Sequence, residues 1–112
     1  NDELTITKGQ NGELMVFPRP LWIEFRARVQ ALPMEASNWR RVFLGSAMPV
    51  AVDSGSRVLI APELRKFAAL DREVLLVGVG RTFELWDAAR FEALEAVTLD
   101  TVMPESLRTM VL

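Results

Sequence analysis

The residues whose types and spacing could do chemistry lie in one short stretch. Asp53 and Arg57 stand four residues apart around Ser54-Gly55-Ser56, between two runs of alternating apolar residues. This pattern predicts a β-hairpin over 50–60, with a three-residue loop that has one left-handed position. An acid and a base then meet at an exposed tip. A guanidinium in that place can bridge phosphate oxygens or bind the acceptor edge of guanine bidentately, which a lysine cannot match.

Two interpretations of this tip stay open on the residues alone. In the first, Arg57 contacts DNA, Asp53 orients it and Gly55 permits the turn. Ser54 and Ser56 then donate hydrogen bonds to phosphates. In the second, Asp53 and Arg57 only close a hairpin, because a surface ion pair typically contributes about 0–1 kcal/mol and needs no function. The serines also suit turns in general, and spacing alone favours this second interpretation.

Other basic residues could enlarge a positive surface. Arg65 and Lys66 fall on the polar side of the helix that follows the tip, and Arg81 lies in a later turn. Solvated helix or turn charges explain them equally well, and Arg40-Arg41 is open to the same alternatives. The net charge of −2 argues against a chain that coats nucleic acid indiscriminately.

Composition excludes several classes of site. The 112 residues contain no cysteine and no histidine, so thiolate or histidine metal sites and Ser-His or Cys-His catalytic pairs are ruled out. The carboxylates, among them Glu13, Glu63 and Glu84, form no recognisable acid–base or metal-ligand pattern. We therefore expect no enzyme, metal, cofactor or small-molecule substrate. No apolar run is long enough for a membrane span, and Asn1-Asp2-Glu3 is unlike a signal peptide, which predicts a cytoplasmic protein without membrane contact.

Hydrophobic periodicity predicts the elements that position the tip. Two strands surround a glycine-rich turn, and two helices follow up to Gly45. Pro62 begins a helix directly after the tip. A second pair of strands then leads into an amphipathic helix and a short final helix after Pro104. The predicted ranges are Leu4–Thr7, Glu13–Phe17, Trp22–Leu32, Met34–Leu44, Glu73–Val79, Thr82–Asp87 and Ala88–Val97.

The chain contains an internal repeat. An offset of 69 residues, from Val16 to Leu85, superposes strand, turn, strand and an aromatic-bearing helix. The same offset puts the counterpart of Asp53 before residue 1. The first repeat is therefore expected to lack its own tip.

Five blocks of residues, in this order, carry a family resemblance: Phe43-Leu44-Gly45-Ser46-Ala47, Asp53-Ser54-Gly55-Ser56-Arg57, Leu59-Ile60-Ala61-Pro62-Glu63-Leu64-Arg65, Glu73-Val74-Leu75-Leu76-Val77-Gly78 and Phe83-Glu84-Leu85-Trp86-Asp87. They resemble the MraZ family of bacterial transcription regulators, which have two SpoVT/AbrB-like half-modules, each with a D-x-x-x-R signature. This sequence has only the second signature, at Asp53 and Arg57.

The resemblance implies an α+β fold, with an AbrB-like swapped-hairpin β-barrel core, a pseudo-twofold internal repeat and flanking helices. It implies a homo-oligomeric ring that binds double-stranded DNA at direct repeats upstream of the division and cell-wall gene cluster. It also implies a nucleoid-associated protein without catalysis or cofactor. The alternative is an oligomerising interaction or scaffold module that does not itself bind DNA. We expect a first-module remnant at 1–21, a helical connector at 22–45, the second module at 46–89 and a C-terminal helical segment at 90–112.

Overall fold

The computed structural model describes residues 3–111, so Asn1, Asp2 and Leu112, at the ends of the predicted segments 1–21 and 90–112, lie outside the described residues. The strands are β1 Glu3–Lys8, β2 Leu14–Pro18, β3 Met48–Ala51, β4 Val74–Gly78 and β5 Phe83–Asp87. The helices are α1 Arg19–Gln30, α2 Ser37–Gly45, α3 Pro62–Phe67, α4 Ala88–Leu99 and α5 Glu105–Val111. A 3₁₀ turn at Met34–Ala36 precedes α2.

The strands form one antiparallel sheet in the order β3-β1-β2-β5-β4. The predicted α+β class is confirmed. The swapped-hairpin barrel is not, because the sheet formed by residues 3–111 is open, with β3 and β4 at its edges. No helix in this part of the chain is both long and apolar enough to cross a membrane.

The predicted internal repeat is present in the fold. Strand β5 and helix α4 begin and end 69 residues after β2 and α1. Met15 on β2 lies opposite Glu84 on β5, which is its own counterpart in the repeat. A pseudo-twofold axis therefore passes between these two residues at the centre of the sheet.

The predicted hairpin over 50–60 is wrong in its second arm. Val58 to Ile60 form no strand. Strand β3 pairs instead with β1, where Val50 lies opposite Leu4. The alternating apolar residues after the tip serve packing, since Ile60 lies against the hydrophobic core. The alternation thus marks one half-buried face, without a second hydrogen-bonded ladder.

Helix α1 begins earlier than predicted, at Arg19 and not at Trp22. Pro20 lies in its first turn, where the missing N–H removes no intrahelical hydrogen bond. Helix α2 covers α1 through an aromatic cluster, with the ring centroids of Phe25 and Phe43 5.9 Å apart. The Oγ1 of Thr7 on β1 also donates to the backbone oxygen of Phe43 at 2.5 Å. Helix α2 is therefore fixed to both α1 and the sheet.

The core lies on one side of the pseudo-twofold axis. Ile6, Leu14 and Val16 of the sheet pack with Leu64 and Ala68 from the segment that contains α3, and all five are buried. The strand related to β1 by the repeat is β4, and it is much more open. Its side chains at Val74, Leu75 and Leu76 are between 37% and 62% exposed. Helix α3 thus covers one half of the repeat only.

Candidate nucleic-acid interface

The tip is a tight turn closed by its own backbone. The N–H of Asp53 donates to the oxygen of Arg57 at 2.8 Å, and the N–H of Ser56 donates to the oxygen of Asp53 at 3.0 Å. Ser56 has a φ of 61°, so it occupies the single left-handed position of the loop. The predicted three-residue loop is confirmed, although a serine and not the glycine takes that conformation.

The carboxylate of Asp53 organises this turn. Its Oδ1 accepts the N–H groups of Gly55 at 2.8 Å and Arg57 at 2.9 Å. Its Oδ2 accepts the Nε of Arg57 at 3.2 Å. The four-residue spacing in D-x-x-x-R therefore has a geometric reason, because one carboxylate binds both the backbone and the side chain of the arginine.

Gly55 leaves room for the arginine to lie against the tip. A Cβ at this position would be 3.1 Å from the Nε of Arg57 and 3.2 Å from its Nη2. The Arg57 side chain is nonetheless 79% exposed. Within residues 3–111, its only side-chain hydrogen bond uses Nε, so Nη1 and Nη2 are available to an outside acceptor. Both flanking serines, Ser54 and Ser56, are exposed as well.

Helix α3 adds two more exposed cations directly after the tip. Its face with Leu64 is buried in the core, which turns Arg65 and Lys66 towards solvent. Neither cation forms an ion pair with any described residue. The burial of Leu64 therefore sets the orientation of these charges.

Arg81, a candidate extension of the positive surface, is engaged elsewhere. Its Nη1 contacts Oε1 of Glu24 on α1 at 2.9 Å, so it ties the turn between β4 and β5 to α1. The hydrogen bond from Arg81, together with its charge, holds the pKa of the Glu24 carboxyl below its ordinary value. This geometry favours the interpretation of Arg81 as a turn charge.

Replacing Arg81 by alanine is expected to raise the pKa of Glu24, as measured by an NMR titration of its carboxyl carbon. In the wild type the depressed pKa stabilises the fold at neutral pH. That stabilisation is lost as the pH falls through the folded-state value. Arg28→Ala is the control, because Arg28 also faces Glu24 but lowers its pKa less. An equal or larger rise in the Arg28 variant would contradict this assignment.

Sequence reasoning missed Arg90, which supports the far end of α3. Its Nη1 donates to the oxygens of Ala68 at 2.7 Å and Gly12 at 3.3 Å. Asp87 caps α4 by accepting the N–H of Arg90 at 3.3 Å, and it also accepts the N–H of Asp71 at 3.1 Å. An aspartate directly before a helical pattern is the signal that could have located the cap. The contacts of Arg90 with distant loops leave no such signal.

Comparison with known proteins identifies the family. The family model described as "MraZ protein, putative antitoxin-like" matches residues 43–109, which include the tip, α3 and both strands of the second repeat. The chain belongs to the MraZ family.

Several MraZ relatives match nearly the whole chain. "Transcriptional regulator MraZ" of Leptothrix cholodnii is 58% identical over 106 residues, covering 95% of this chain and 73% of that protein. The protein of the same name from Methylibium petroleiphilum is 53% identical over 104 residues, covering 93% and 71%. The Burkholderia mallei protein, also named "Transcriptional regulator MraZ", is 51% identical over 105 residues, covering 94% and 74%.

Proposed function

We propose that this chain is a transcriptional regulator that binds double-stranded DNA through the 53–57 tip. The observation that carries the proposal is the exposed guanidinium of Arg57, held in place by the carboxylate of Asp53. The names of the MraZ relatives as transcriptional regulators support it. Arg57 is proposed to contact phosphate or a base edge, with Ser54 and Ser56 donating to phosphates beside it.

Arg65 and Lys66 complete the proposed surface as phosphate contacts. Three cations give a modest attraction for DNA, and the net charge of the chain is −2. Several copies acting together would raise the overall affinity at repeated sites, because binding of one tip raises the local concentration of the next. We therefore include in the proposal a homo-oligomeric ring and direct repeats upstream of the division and cell-wall genes. Such a protein would act in the cytoplasm, at the nucleoid.

The proposal retains the AbrB-like barrel as the unit that presents the tip. Closing the sheet requires a further strand on the outer edge of β4, where Leu75 and Leu76 expose apolar surface. We retain the proposed boundaries of this arrangement: a remnant of the first module at 1–21, a connector at 22–45, the second module at 46–89 and a helical segment at 90–112.

Arg57→Ala is expected to weaken binding to a duplex with the direct repeats by about tenfold at matched salt, since one good arginine contact is worth about 1–3 kcal/mol. Fluorescence anisotropy over a range of salt concentrations measures both the affinity and the salt slope. A contact to phosphate reduces the slope by about one, whereas a contact to a base relaxes sequence preference.

Arg26→Ala is the matched control, because Arg26 is an exposed arginine on α1, away from the tip. Equal losses in the two variants would assign binding to overall charge and not to the tip. Absence of DNA binding in a folded, oligomeric wild-type sample would instead favour the scaffold alternative.

A further inference from the structure

The internal repeat extends into the last helix of the chain. Helix α5, with the residues just before it, lies 69 positions after the 3₁₀ turn and α2. Met103 and Ser106 repeat Met34 and Ser37 at this offset. By the symmetry of the repeat, α5 is therefore the kind of helix that belongs on α4, as α2 belongs on α1.

The second half of the repeat lacks that packing. Helix α2 packs on α1 and β1, whereas α5 makes at most a marginal contact with any other described element. Apolar side chains stay uncovered on both helices. Leu94 and Val97 on α4 are 44% and 66% exposed, and Met110 on α5 is 76% exposed. The donor helix and its acceptor surface are thus both present and both unpaired.

The uncovered residues of α5 form one face. Leu107, Met110 and Val111 stand at positions i, i+3 and i+4, the spacing that places side chains on the same side of a helix. Charge also fits the pairing of α5 with α4. Helix α4 exposes Glu92 and Glu95, and α5 carries Arg108 in its last turn. An apolar contact flanked by opposite charges is therefore available between the two helices.

One contact that holds α2 back on its own chain is missing in α5. The guanidinium of Arg40 donates to the backbone oxygens of Val29 at 3.3 Å and of Leu32, so it locks the reversal between α1 and α2. The counterpart of Arg40 in the repeat is Thr109. Its short hydroxyl donates to the oxygen of Ser106 within α5. Nothing equivalent therefore fastens α5 to its own α4.

We infer that α5 of one copy of this chain packs on α4 of a second copy, in a reciprocal exchange. The shared surface, which we name the C-terminal apolar face, consists of Leu94, Val97, Leu107, Met110 and Val111. An exchange of identical elements is self-complementary and closes with twofold symmetry. The inference rests on the proposed self-association and identifies a surface for it; it does not depend on DNA binding.

Multi-angle light scattering of the full chain over a range of concentrations tests the exchange. The wild type is expected to reach at least the mass of a dimer, and Met110→Glu to raise the dissociation constant about tenfold or more, because it buries a charge in the contact. Thr109→Glu is the matched control, since it adds the same charge at the neighbouring position on the opposite side of α5. It should leave the mass unchanged.

Mixing two damaged copies separates exchange between chains from folding back within one chain. Met110→Glu leaves α4 intact, and Val97→Lys leaves α5 intact. The mixture is therefore expected to form a heterodimer more strongly than either variant dimerises alone, because it contains one native contact and one Lys–Glu contact. A monomeric wild type would overturn the inference. So would an equal effect of Thr109→Glu, or a mixture that associates no better than its components.

Arg57→Ala distinguishes this inference from the proposed function. It should leave the mass unchanged, because Arg57 is not part of the C-terminal apolar face. If no variant binds DNA but Met110→Glu still dissociates the chain, the proposed function fails and the exchange stands. If DNA binding depends on Arg57 while the mass is insensitive to Met110→Glu, the exchange fails alone. Circular dichroism confirms that each variant is folded.

Discussion

Leu64→Ala is expected to lower the free energy of unfolding by about 3 kcal/mol, as is typical of leucine-to-alanine changes in tightly packed cores. Leu64 is only 1% exposed and belongs to the cluster that joins α3 to Ile6, Leu14 and Val16. Helix α3 has six residues, too few to be stable alone, so its helicity depends on this packing. The loss is large against a typical total stability of about 5–15 kcal/mol.

Leu59→Ala provides the matched control for this prediction. It makes the same chemical change five positions earlier, at a side chain that is 84% exposed, and it should change stability by no more than about 0.5 kcal/mol. Urea denaturation of both variants at the same protein concentration gives the comparison, since self-association would otherwise shift the midpoints. Similar midpoints for the two variants would show that α3 is not anchored by Leu64.

Local signals in the sequence predicted much of the fold. Pro62 in a first helical turn located α3, and the glycine-containing loop with flanking Asp53 and Arg57 located the tip. The offset of 69 residues predicted that β5 and α4 would copy β2 and α1, as they do. Each of these features depends on neighbouring residues or on direct repetition, which a single sequence displays.

Contacts between distant segments were not predictable in the same way. The alternating residues up to Ile60 have the pattern of a strand, but the hydrogen bonds of β3 go to β1, about forty residues earlier. The pairing of Arg81 with Glu24 and the bonds from Arg90 to Gly12 depend on how the two repeats meet. Such partners are set by the topology of the sheet, and no spacing rule along the chain specifies them.

The tip combines a local motif with a long-range anchor. Its turn is specified by residues 53–57, whereas its position is fixed by β3 on one side and by α3 on the other. Leu64→Ala therefore tests the anchor. The internal order of the tip depends on Asp53, whose carboxylate makes three of its hydrogen bonds. These two contributions can be separated, because Asp53 lies outside the buried core.

Asp53→Ala is expected to weaken DNA binding by about 30- to 100-fold, more than Arg57→Ala, although it removes a negative charge. Simple electrostatics predicts the opposite, since one acid fewer should strengthen attraction to phosphate. We expect order to outweigh charge: without the carboxylate, the loop and the Arg57 side chain must be fixed on binding, at about 1–2 kcal/mol for each backbone residue and more for the side chain.

Glu63→Gln isolates the contribution of charge to this prediction. Glu63 is an exposed acid on α3 whose contact with Lys8 is long, at 4.0 Å, and it makes no hydrogen bond to the tip. Its substitution should leave DNA affinity equal or slightly higher, while Asp53→Ala lowers it in the same salt. Tighter binding by both variants would mean that the carboxylate of Asp53 acts only as a repulsive charge and that the tip needs no internal order to bind. A loss confined to Asp53→Ala would show that Arg57 binds DNA because Asp53 holds it in place beforehand.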